Sequence, residues 1–281
     1  MTNHNREGTF LGANGLELYY QCWHPQASAK AIVVLVHGFG VHSNIFSRLV
    51  EFLVQKDLGV YGFDLRGHGR SPGQRGYINS WTEHRLDLAA FLNLVQIKES
   101  HLPLFIIGQS MGGIVTLDYV LRTSAQQLKP IAGLILIAPA LGLCITPWKL
   151  TLGKLLSLIY PRFALNTGID YEAASRDPQV IEANRHDPLR HAQGTARLST
   201  ELLKTINWVK GQAQELATPL LLLHGLADRV TPADSSQSFF QHLTLADKEL
   251  RLYPNSYHEL HSDTNCLEVA TDIHSWIGNH L

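Results

Sequence analysis

Short runs of consecutive apolar residues recur along the chain, and amphipathic stretches separate them. The runs lie at 31–37, 59–64, 104–107, 133–138 and 219–225, and one further strand is predicted at 248–253. Runs of this length, rich in Val, Ile and Leu, are typical of strands covered on both faces of a parallel sheet. Apolar residues at helical spacing predict helices over 47–56, 81–99, 114–121 and 263–279. Strands alternating with helices predict an α/β fold, with a mostly parallel central sheet and helices on both faces.

The N-terminal region follows a different pattern. Residues 9–11 and 16–23 alternate in strand fashion around Asn14-Gly15, a dipeptide that is favoured in two-residue hairpin turns. We therefore expect an antiparallel pair of strands at one edge of the sheet.

The alternation stops between Leu141 and about Leu203, where no further buried strand is evident. This gap predicts a helical insertion after the sixth strand, here called the cap (residues 142–203), on a core formed by residues 1–141 and 204–281. A predicted helix over 146–160 opens the cap, with Trp148, Leu152, Leu155, Leu156 and Ile159 on one face. Two interpretations are open: this helix packs on the core, or it is an apolar lid that also contacts a lipid surface.

Composition narrows the class of protein. The 281 residues carry a formal net charge of −1, which argues against a nucleic-acid partner. The three cysteines, Cys22, Cys144 and Cys266, are widely spaced and odd in number, as expected for reduced thiols. The first residues contain no apolar segment of the kind found in secretory signals. We therefore expect a cytoplasmic protein, with peripheral membrane contact if the cap is a lipid-facing lid.

The segment between the strand at 104–107 and the following helix carries the first chemical signal. It reads Gly108-Gln109-Ser110-Met111-Gly112, a G-x-S-x-G elbow in the strand–turn–helix context that this motif requires. Such a turn strains the serine backbone and needs small neighbours, which the two glycines provide. We therefore predict Ser110 as a nucleophile at the carboxyl end of the sheet, where α/β proteins place their sites.

A serine hydroxyl needs a base to take its proton, and that base needs a third group to orient it. Asp228 follows the strand at 219–225, and His258 follows the strand at 248–253. The order Ser, acid, His is the one that this architecture uses. Asp234 is the competing acid, and His261 is the competing base.

Hydrolysis also needs donors for the oxyanion, and fixed backbone amides suit that role. Topology points to the amide of Met111, directly after the nucleophile, and to that of Phe39, in the loop after the strand at 31–37. His37 is expected to brace this loop by hydrogen bonding.

We predict no cofactor and no metal, since His258-Glu-Leu-His261 misses zinc-binding H-E-x-x-H spacing by one residue. The segment 64–70 has no P-loop lysine and is interpreted as a structural turn, with Asp64 and Arg66 paired or hydrogen-bonded.

Taken together, these motifs resemble the α/β-hydrolases, and most closely the monoacylglycerol lipases, which share a family with lysophospholipases and some serine aminopeptidases. The resemblance covers nearly the whole chain and rests on His37–Gly40, Asp64–Ser71, Gly108–Gly113, His224–Asp228, Asp187–Leu189 and Tyr257-His258. It implies Ser110, Asp228 and His258 as the catalytic triad, and Phe39 and Met111 as oxyanion donors.

The resemblance also implies a substrate class, a small lipid such as a monoacylglycerol or a similar single-chain ester. A lysophospholipase or a general carboxylesterase is the alternative. A serine aminopeptidase would need a carboxylate in the cap for the substrate amine, and Glu172, Asp177 and Glu182 are the candidates. A non-catalytic ligand-binding protein on the same fold is the remaining hypothesis.

Overall fold

The computed structural model describes residues 4–123, 130–143, 147–168 and 170–281. Ten strands occur in this part of the chain: β1 (His4–Leu11), β2 (Glu17–His24), β3 (Ala31–Val36), β4 (Leu58–Phe63), β5 (Leu104–Gln109), β6 (Gly133–Ile137), β7 (Ala164–Asn166), β8 (Gln193–Thr195), β9 (Leu220–Gly225) and β10 (Lys248–Tyr253). Eight of them form one sheet in the order β1-β2-β4-β3-β5-β6-β9-β10. The six strands from β4 to β10 in this order are parallel, and β1 and β2 run antiparallel at one edge.

Helices cover both faces of this sheet, as predicted. Their bounds in the described residues are α1 (Ser47–Gln55), α2 (Thr82–Lys98), α3 (Met111–Arg122), α4 (Pro147–Ile159), α5 (Pro178–His186), α6 (Ala196–Gly211), α7 (Ala233–His242) and α8 (Cys266–Gly278). One core layer is formed with α1 and α8, and the other with α2, α3, α6 and α7. Every residue of β3, β4, β5, β6 and β9 is buried, which explains why these strands read as continuous apolar runs.

The antiparallel pair at the N-terminus is confirmed, but its connection differs from the expected hairpin turn. Leu11 pairs with Glu17, and Asn14 and Gly15 lie in a 3₁₀ turn with φ angles of 60° and 70°. This turn docks on α2, because the Asn14 amide donates to Glu83 at 3.0 Å. This tertiary contact accompanies a 3₁₀ turn in place of the two-residue hairpin turn that the Asn-Gly dipeptide favours.

Helix α2 buries charged residues as well as apolar ones. Leu86 is exposed, whereas Glu83, Asp87 and Phe91 are buried. The buried Asp87 carboxylate accepts two hydrogen bonds from Arg66 at 2.6 and 2.7 Å. Pairing with an arginine makes burial of this carboxylate tolerable, and the helical pattern alone does not reveal that partner.

The predicted cap region contains α4, α5 and a small antiparallel ribbon of β7 and β8, which the sequence pattern did not indicate. Helix α6 starts in this region and continues through residue 203. It packs against both α4 and α3, the helix that follows Ser110. The expected helix over 146–160 is observed as α4. Residues 1–3, Cys144 and Thr146 lie outside the described residues, as do the side chains of Trp148, Leu150 and Leu152.

Three aliphatic side chains of α4 project outward: Leu155, Leu158 and Ile159 are 52%, 77% and 73% exposed. Among the described residues, no helix has the length and apolar content needed to cross a bilayer.

Candidate active site

Ser110 lies on a strained turn between β5 and α3. Its φ and ψ angles are 52° and −119°, a combination that non-glycine residues rarely adopt. Hydrogen bonds to its neighbours hold this conformation. The Ser110 amide donates to the Ile137 carbonyl, and the Ser110 carbonyl accepts from the Ala140 amide, both at 3.0 Å. The loop after β6 therefore fixes the elbow from one side.

The two motif glycines are required by close backbone contacts. A Cβ atom at Gly108 would lie 2.8 Å from the Gly113 Cα and 2.9 Å from the Gly112 carbonyl oxygen. At Gly112, a Cβ would collide with the carbonyl oxygens of Val36 and His37. The predicted need for small residues is thus confirmed, and at Gly112 the obstacle is the neighbouring strand.

The structure brings the predicted acid and base together. His258 Nδ1 donates to Asp228 Oδ2 at 2.7 Å. The same carboxylate accepts from the Val230 and Thr231 amides at 2.7 and 3.0 Å, and from the Thr231 hydroxyl at 2.9 Å. These bonds fix the orientation of the carboxylate in a fully buried position, with 0% of its side chain exposed.

Electrostatics keep Asp228 ionised. Burial alone would raise its pKa, but the adjacent His258, the hydrogen bonds from His224 and His258 and the Thr231 amide together lower that pKa well below its usual range. A permanently charged carboxylate can stabilise a protonated imidazole at its Nδ1.

His258 and Ser110 are both buried, with 6% and 9% of their surfaces exposed. Their loops adjoin through Thr231, whose hydroxyl lies 3.3 Å from His258 Nδ1 and 3.4 Å from the Ala138 carbonyl oxygen. Ala138 directly follows Ile137, which binds the Ser110 amide. Within the described residues, no hydrogen bond joins Ser110 Oγ to the His258 ring, and catalytic hydrogen bonds commonly tighten only when substrate is bound.

The loop at 37–40 lies directly against the elbow. A Cβ atom at Gly38 would be 2.9 Å from the Ser110 Cβ. In the part of the chain that the structure describes, neither the Phe39 nor the Met111 amide donates a hydrogen bond. His37 braces the loop as predicted: its Nδ1 donates to the Gly38 carbonyl at 2.7 Å, and its Nε2 accepts from the Leu65 amide at 2.9 Å. Burial lowers the pKa of His37 to about 3, so its ring stays neutral.

The competing residues lie elsewhere. The Asp234 carboxylate accepts from Gln237 at 3.4 Å on the surface of α7. His261 is buried against the Phe46 ring, with a centroid distance of 4.6 Å. Neither of them contacts the Asp228–His258 pair by a hydrogen bond.

The segment at 64–70 is a structural turn, as expected. Asp64 accepts hydrogen bonds from Ser43 and from the Arg70 amide. Arg66 pairs with Asp87 and Glu83, so Asp64 and Arg66 are each bonded, but not to one another.

Sequence reasoning missed the residues that support the pair. His224, at the end of β9, lies 3.1 Å from Asp228 Oδ2 and 2.8 Å from the Ser236 hydroxyl. His42 pairs with Asp187 of the cap region at 2.7 Å. The D-x-x-T spacing of Asp228 and Thr231 is the one signal that could have indicated such support, since aspartate commonly bonds nearby backbone amides in turns.

The cap-region carboxylates considered for an aminopeptidase are all paired with arginines. Arg185 pairs with Glu172 at 2.7 Å and with Glu182 at 3.8 Å. Asp177 pairs with Arg48 at 2.8 Å and caps the N-terminus of α5. Within the described residues, no cluster of histidine, cysteine, aspartate and glutamate could hold a metal ion.

Comparison with known proteins agrees with this arrangement. A family model described as serine aminopeptidase, S33, matches residues 27–265. The monoacylglycerol lipase of Mycolicibacterium smegmatis is 29% identical over 278 residues, which cover 98% of this chain and 98% of that protein.

Two solved structures share the fold. The crystal structure of Paleococcus ferrophilus monoacylglycerol lipase has a TM-score of 0.83 and 31% identity, covering 95% of this chain and 100% of that one. A soluble variant of monoglyceride lipase from Saccharomyces cerevisiae, in complex with a substrate analog, has a TM-score of 0.87 and 26% identity, covering 100% of this chain and 96% of that one. The chain therefore belongs to the serine aminopeptidase S33 family and has the α/β-hydrolase fold.

Proposed function

We propose that this protein is a serine hydrolase that cleaves monoacylglycerols to a fatty acid and glycerol. The observation that carries the proposal is the buried hydrogen bond from His258 to the ionised Asp228, at the same sheet edge as the strained Ser110. The similarity to monoacylglycerol lipases over nearly the full length supports the choice of substrate.

In the proposed mechanism, Ser110 Oγ attacks the ester carbonyl while His258 Nε2 takes the hydroxyl proton. The imidazolium then gives this proton to the departing glycerol oxygen, and an acyl-enzyme remains on Ser110. Water repeats the sequence: His258 takes a proton from it, the hydroxide attacks the acyl carbonyl, and the fatty acid leaves as Ser110 recovers its proton. Asp228 holds the tautomer of the ring and stabilises its positive charge in both halves.

The Phe39 and Met111 amides are the proposed oxyanion donors. Both lie beside the elbow, and Met111 begins α3, so its N–H is one of those that a helix leaves without an internal partner. Donors of this kind stabilise charge that exists only in the transition state, and losing one typically lowers turnover by about 10²–10³.

The pairing of the candidate cap-region carboxylates favours an ester over an amino-terminal amide. An aminopeptidase needs a free carboxylate to bind the substrate amine, and Glu172, Asp177 and Glu182 are each paired with an arginine. A substrate amine at Asp177 would compete with Arg48, and one at Glu172 or Glu182 would compete with Arg185. The family description therefore names a chemistry that the described carboxylates support poorly.

We further propose that the cap region, residues 142–203, covers the acyl-chain site and contacts membrane surfaces. Its helix α4 exposes Leu155, Leu158 and Ile159 on one face, an apolar patch of the kind that enters lipid interfaces. Such contact would give a cytoplasmic protein access to a substrate that resides in a bilayer.

The test is a substrate panel on the purified protein. We expect turnover of monooleoylglycerol to exceed that of lysophosphatidylcholine and of proline-naphthylamide. Ser110→Ala is expected to abolish both hydrolysis and labelling by a fluorophosphonate. Preferred cleavage of the naphthylamide would overturn the ester assignment, and retained turnover in Ser110→Ala would overturn the nucleophile. Absence of both an acyl-enzyme burst and steady-state turnover with a nitrophenyl ester would instead favour a non-catalytic ligand-binding protein.

A further inference from the structure

The loop that carries Phe39 is contacted by a residue from the cap region. The main-chain amide of His191 donates to the Gly40 carbonyl at 2.9 Å. The His191 ring packs edge-on against the Phe39 ring, with a centroid distance of 5.5 Å and an interplanar angle of 85°. One residue of the cap region therefore contacts two consecutive residues of the oxyanion loop.

The ring of a core residue, His68, also packs against Phe39. The His68 ring lies 5.8 Å from the Phe39 ring and 4.7 Å from the His191 ring, measured between centroids. Phe39, His68 and His191 thus form a cluster of three rings in which each ring contacts the other two. Burial, followed by the nearby Arg75, lowers the pKa of His191 to about 4. Its ring is therefore neutral at pH 7 and packs as an uncharged aromatic group.

The segment that carries His191 is itself held at both ends. Asp187 pairs with His42 of the core at 2.7 Å. The Ala192 carbonyl accepts from the Thr167 amide at 2.7 Å and from the Thr167 hydroxyl at 2.9 Å. His191 therefore projects from an anchored segment, and its contacts can restrain the loop at 37–40.

We propose that His191 is a positioning residue for the oxyanion hole, acting through Gly40 and Phe39. The inference rests on the proposed function, because it assigns the Phe39 amide as an oxyanion donor. The cap region would then have two roles, covering the substrate and completing the geometry that stabilises the transition state.

Kinetics should distinguish this role from simple packing. An oxyanion donor acts more strongly on the transition state than on bound substrate, so a displaced Phe39 amide lowers kcat and leaves KM nearly unchanged. Losing a whole donor costs about 10²–10³ in turnover, so partial displacement should cost about 10- to 100-fold.

The experiment compares His191→Ala, His191→Phe and a matched control, His186→Ala. His186 lies in the same cap region at the end of α5, and its side chain is 75% exposed. With monooleoylglycerol and p-nitrophenyl butyrate, we expect His191→Ala to lose about 10- to 100-fold in kcat with KM within about twofold of wild type. His191→Phe keeps a ring against Phe39 and should recover to within about threefold of wild type, and His186→Ala should match wild type.

A reversible trifluoromethyl ketone gives a second readout, because its adduct with Ser110 carries the oxyanion. Its affinity should fall in proportion to kcat in His191→Ala, whereas the affinity of a monoalkylglycerol ether, which has no carbonyl, should not change. Equal weakening of both ligands would overturn the proposal. An unchanged kcat in His191→Ala, or an equal loss in the Ala and Phe variants, would do the same.

Failure of the proposed function is separable from failure of this inference. If wild type cleaves the nitrophenyl ester but not the monoacylglycerol, the substrate assignment fails, and His191 is judged on the nitrophenyl ester. If it cleaves neither, the rate of fluorophosphonate labelling of Ser110 replaces kcat in the same comparison. Absence of labelling in wild type would overturn both proposals.

Discussion

The carboxylate of Asp228 lies 2.7 Å from the Nδ1 atom of His258, although 30 residues separate them along the chain. Strands β9 and β10 are parallel neighbours, so the loops that follow them emerge at one edge of the sheet. The adjacency of two strands thus brings Asp228 and His258 together, and Ser110 follows β5, another parallel strand of the same sheet.

Replacing the carboxylate tests this pair. Asp228→Asn retains the shape of the side chain but removes the charge and favours the wrong imidazole tautomer. We expect kcat for p-nitrophenyl butyrate to fall by about 10⁴. Asp234→Asn is the matched control and should stay within about twofold of wild type, because Asp234 lies on the surface of α7. Comparable losses in both variants would contradict the assignment of Asp228.

The two neighbouring histidines should behave differently. His258→Ala removes the proposed base and should reduce kcat by on the order of 10⁴ or more. His261→Phe replaces a ring that packs on Phe46 and makes no hydrogen bond to Asp228, so we expect a loss of less than about tenfold, in line with a packing change. The kinetics of nitrophenyl ester hydrolysis decide between them, and a larger loss in His261→Phe would reverse the assignment.

Gly112 should not tolerate a side chain. In Gly112→Ala the new Cβ meets the Val36 and His37 carbonyl oxygens, so either β3 or the elbow must move. We expect a loss of about 3 kcal/mol or more in the free energy of unfolding, measured by urea denaturation. A Cβ at Gly278, near the end of α8, meets no atom within 4 Å. Gly278→Ala should therefore be neutral or stabilising by up to about 1 kcal/mol, and an equal loss there would contradict this packing argument.

Acid sensitivity should arise partly from His84. Burial lowers its pKa well below 6.5, and nearby His68 and Arg66 lower it further. Below pH 6.5 the unfolded chain binds a proton at this position that the folded protein does not. The contribution of His84 to the free energy of unfolding is therefore fully present above that pH and is lost as pH decreases. We expect His84→Phe to reduce the loss of unfolding free energy between pH 6.5 and 5 by about 2 kcal/mol.

Denaturant titrations at several pH values would measure this difference. His186→Phe alters an exposed ring and should leave the pH dependence unchanged. If the free energy of unfolding of His84→Phe depends on pH as steeply as that of wild type, His84 does not contribute to acid sensitivity.

The proposed membrane contact is expected to depend on the outer face of α4. The double variant Leu158→Ser with Ile159→Ser removes two of its most exposed aliphatic groups, and it should weaken sedimentation with phosphatidylcholine vesicles by about tenfold or more, since each buried CH₂ contributes about 0.8 kcal/mol. Hydrolysis of soluble nitrophenyl esters should remain within about twofold. Leu267→Ser, on α8, is the control, because Leu267 is 66% exposed but lies outside the cap region. Unchanged sedimentation of the double variant would exclude α4 as the contact surface.

The central strands could be predicted from sequence because double burial leaves a continuous apolar run, as in β3 and β9. The elbow and the loop after β9 could be located for the same reason, since each follows such a run, whereas β10 contains charged residues and is only partly buried. The ribbon of β7 and β8 could not, because each strand has three residues and only Thr195 is buried among them. The burial of Asp87 on α2 could not be predicted either, since its partner Arg66 lies 21 residues away.

The supporting contacts of the site were the hardest to foresee. His42 and Asp187 are separated by 145 positions, and His191 reaches Gly40 across a similar distance in sequence. No periodicity encodes such contacts, because they depend on how the cap region folds back over the sheet. The roles of Ser110, Asp228, His258, Phe39 and Met111 remain predictions that the experiments above test.

The left-handed backbone of Ser110 has a consequence for biosynthesis. Its conformation is maintained by the Ile137 carbonyl and the Ala140 amide, groups that reach the elbow only after β6 has paired with β5. A nascent or denatured chain lacks these restraints, and its serine relaxes to an ordinary, unreactive geometry. Esterase competence would therefore appear together with the finished sheet, so that half-folded molecules leave cellular esters untouched.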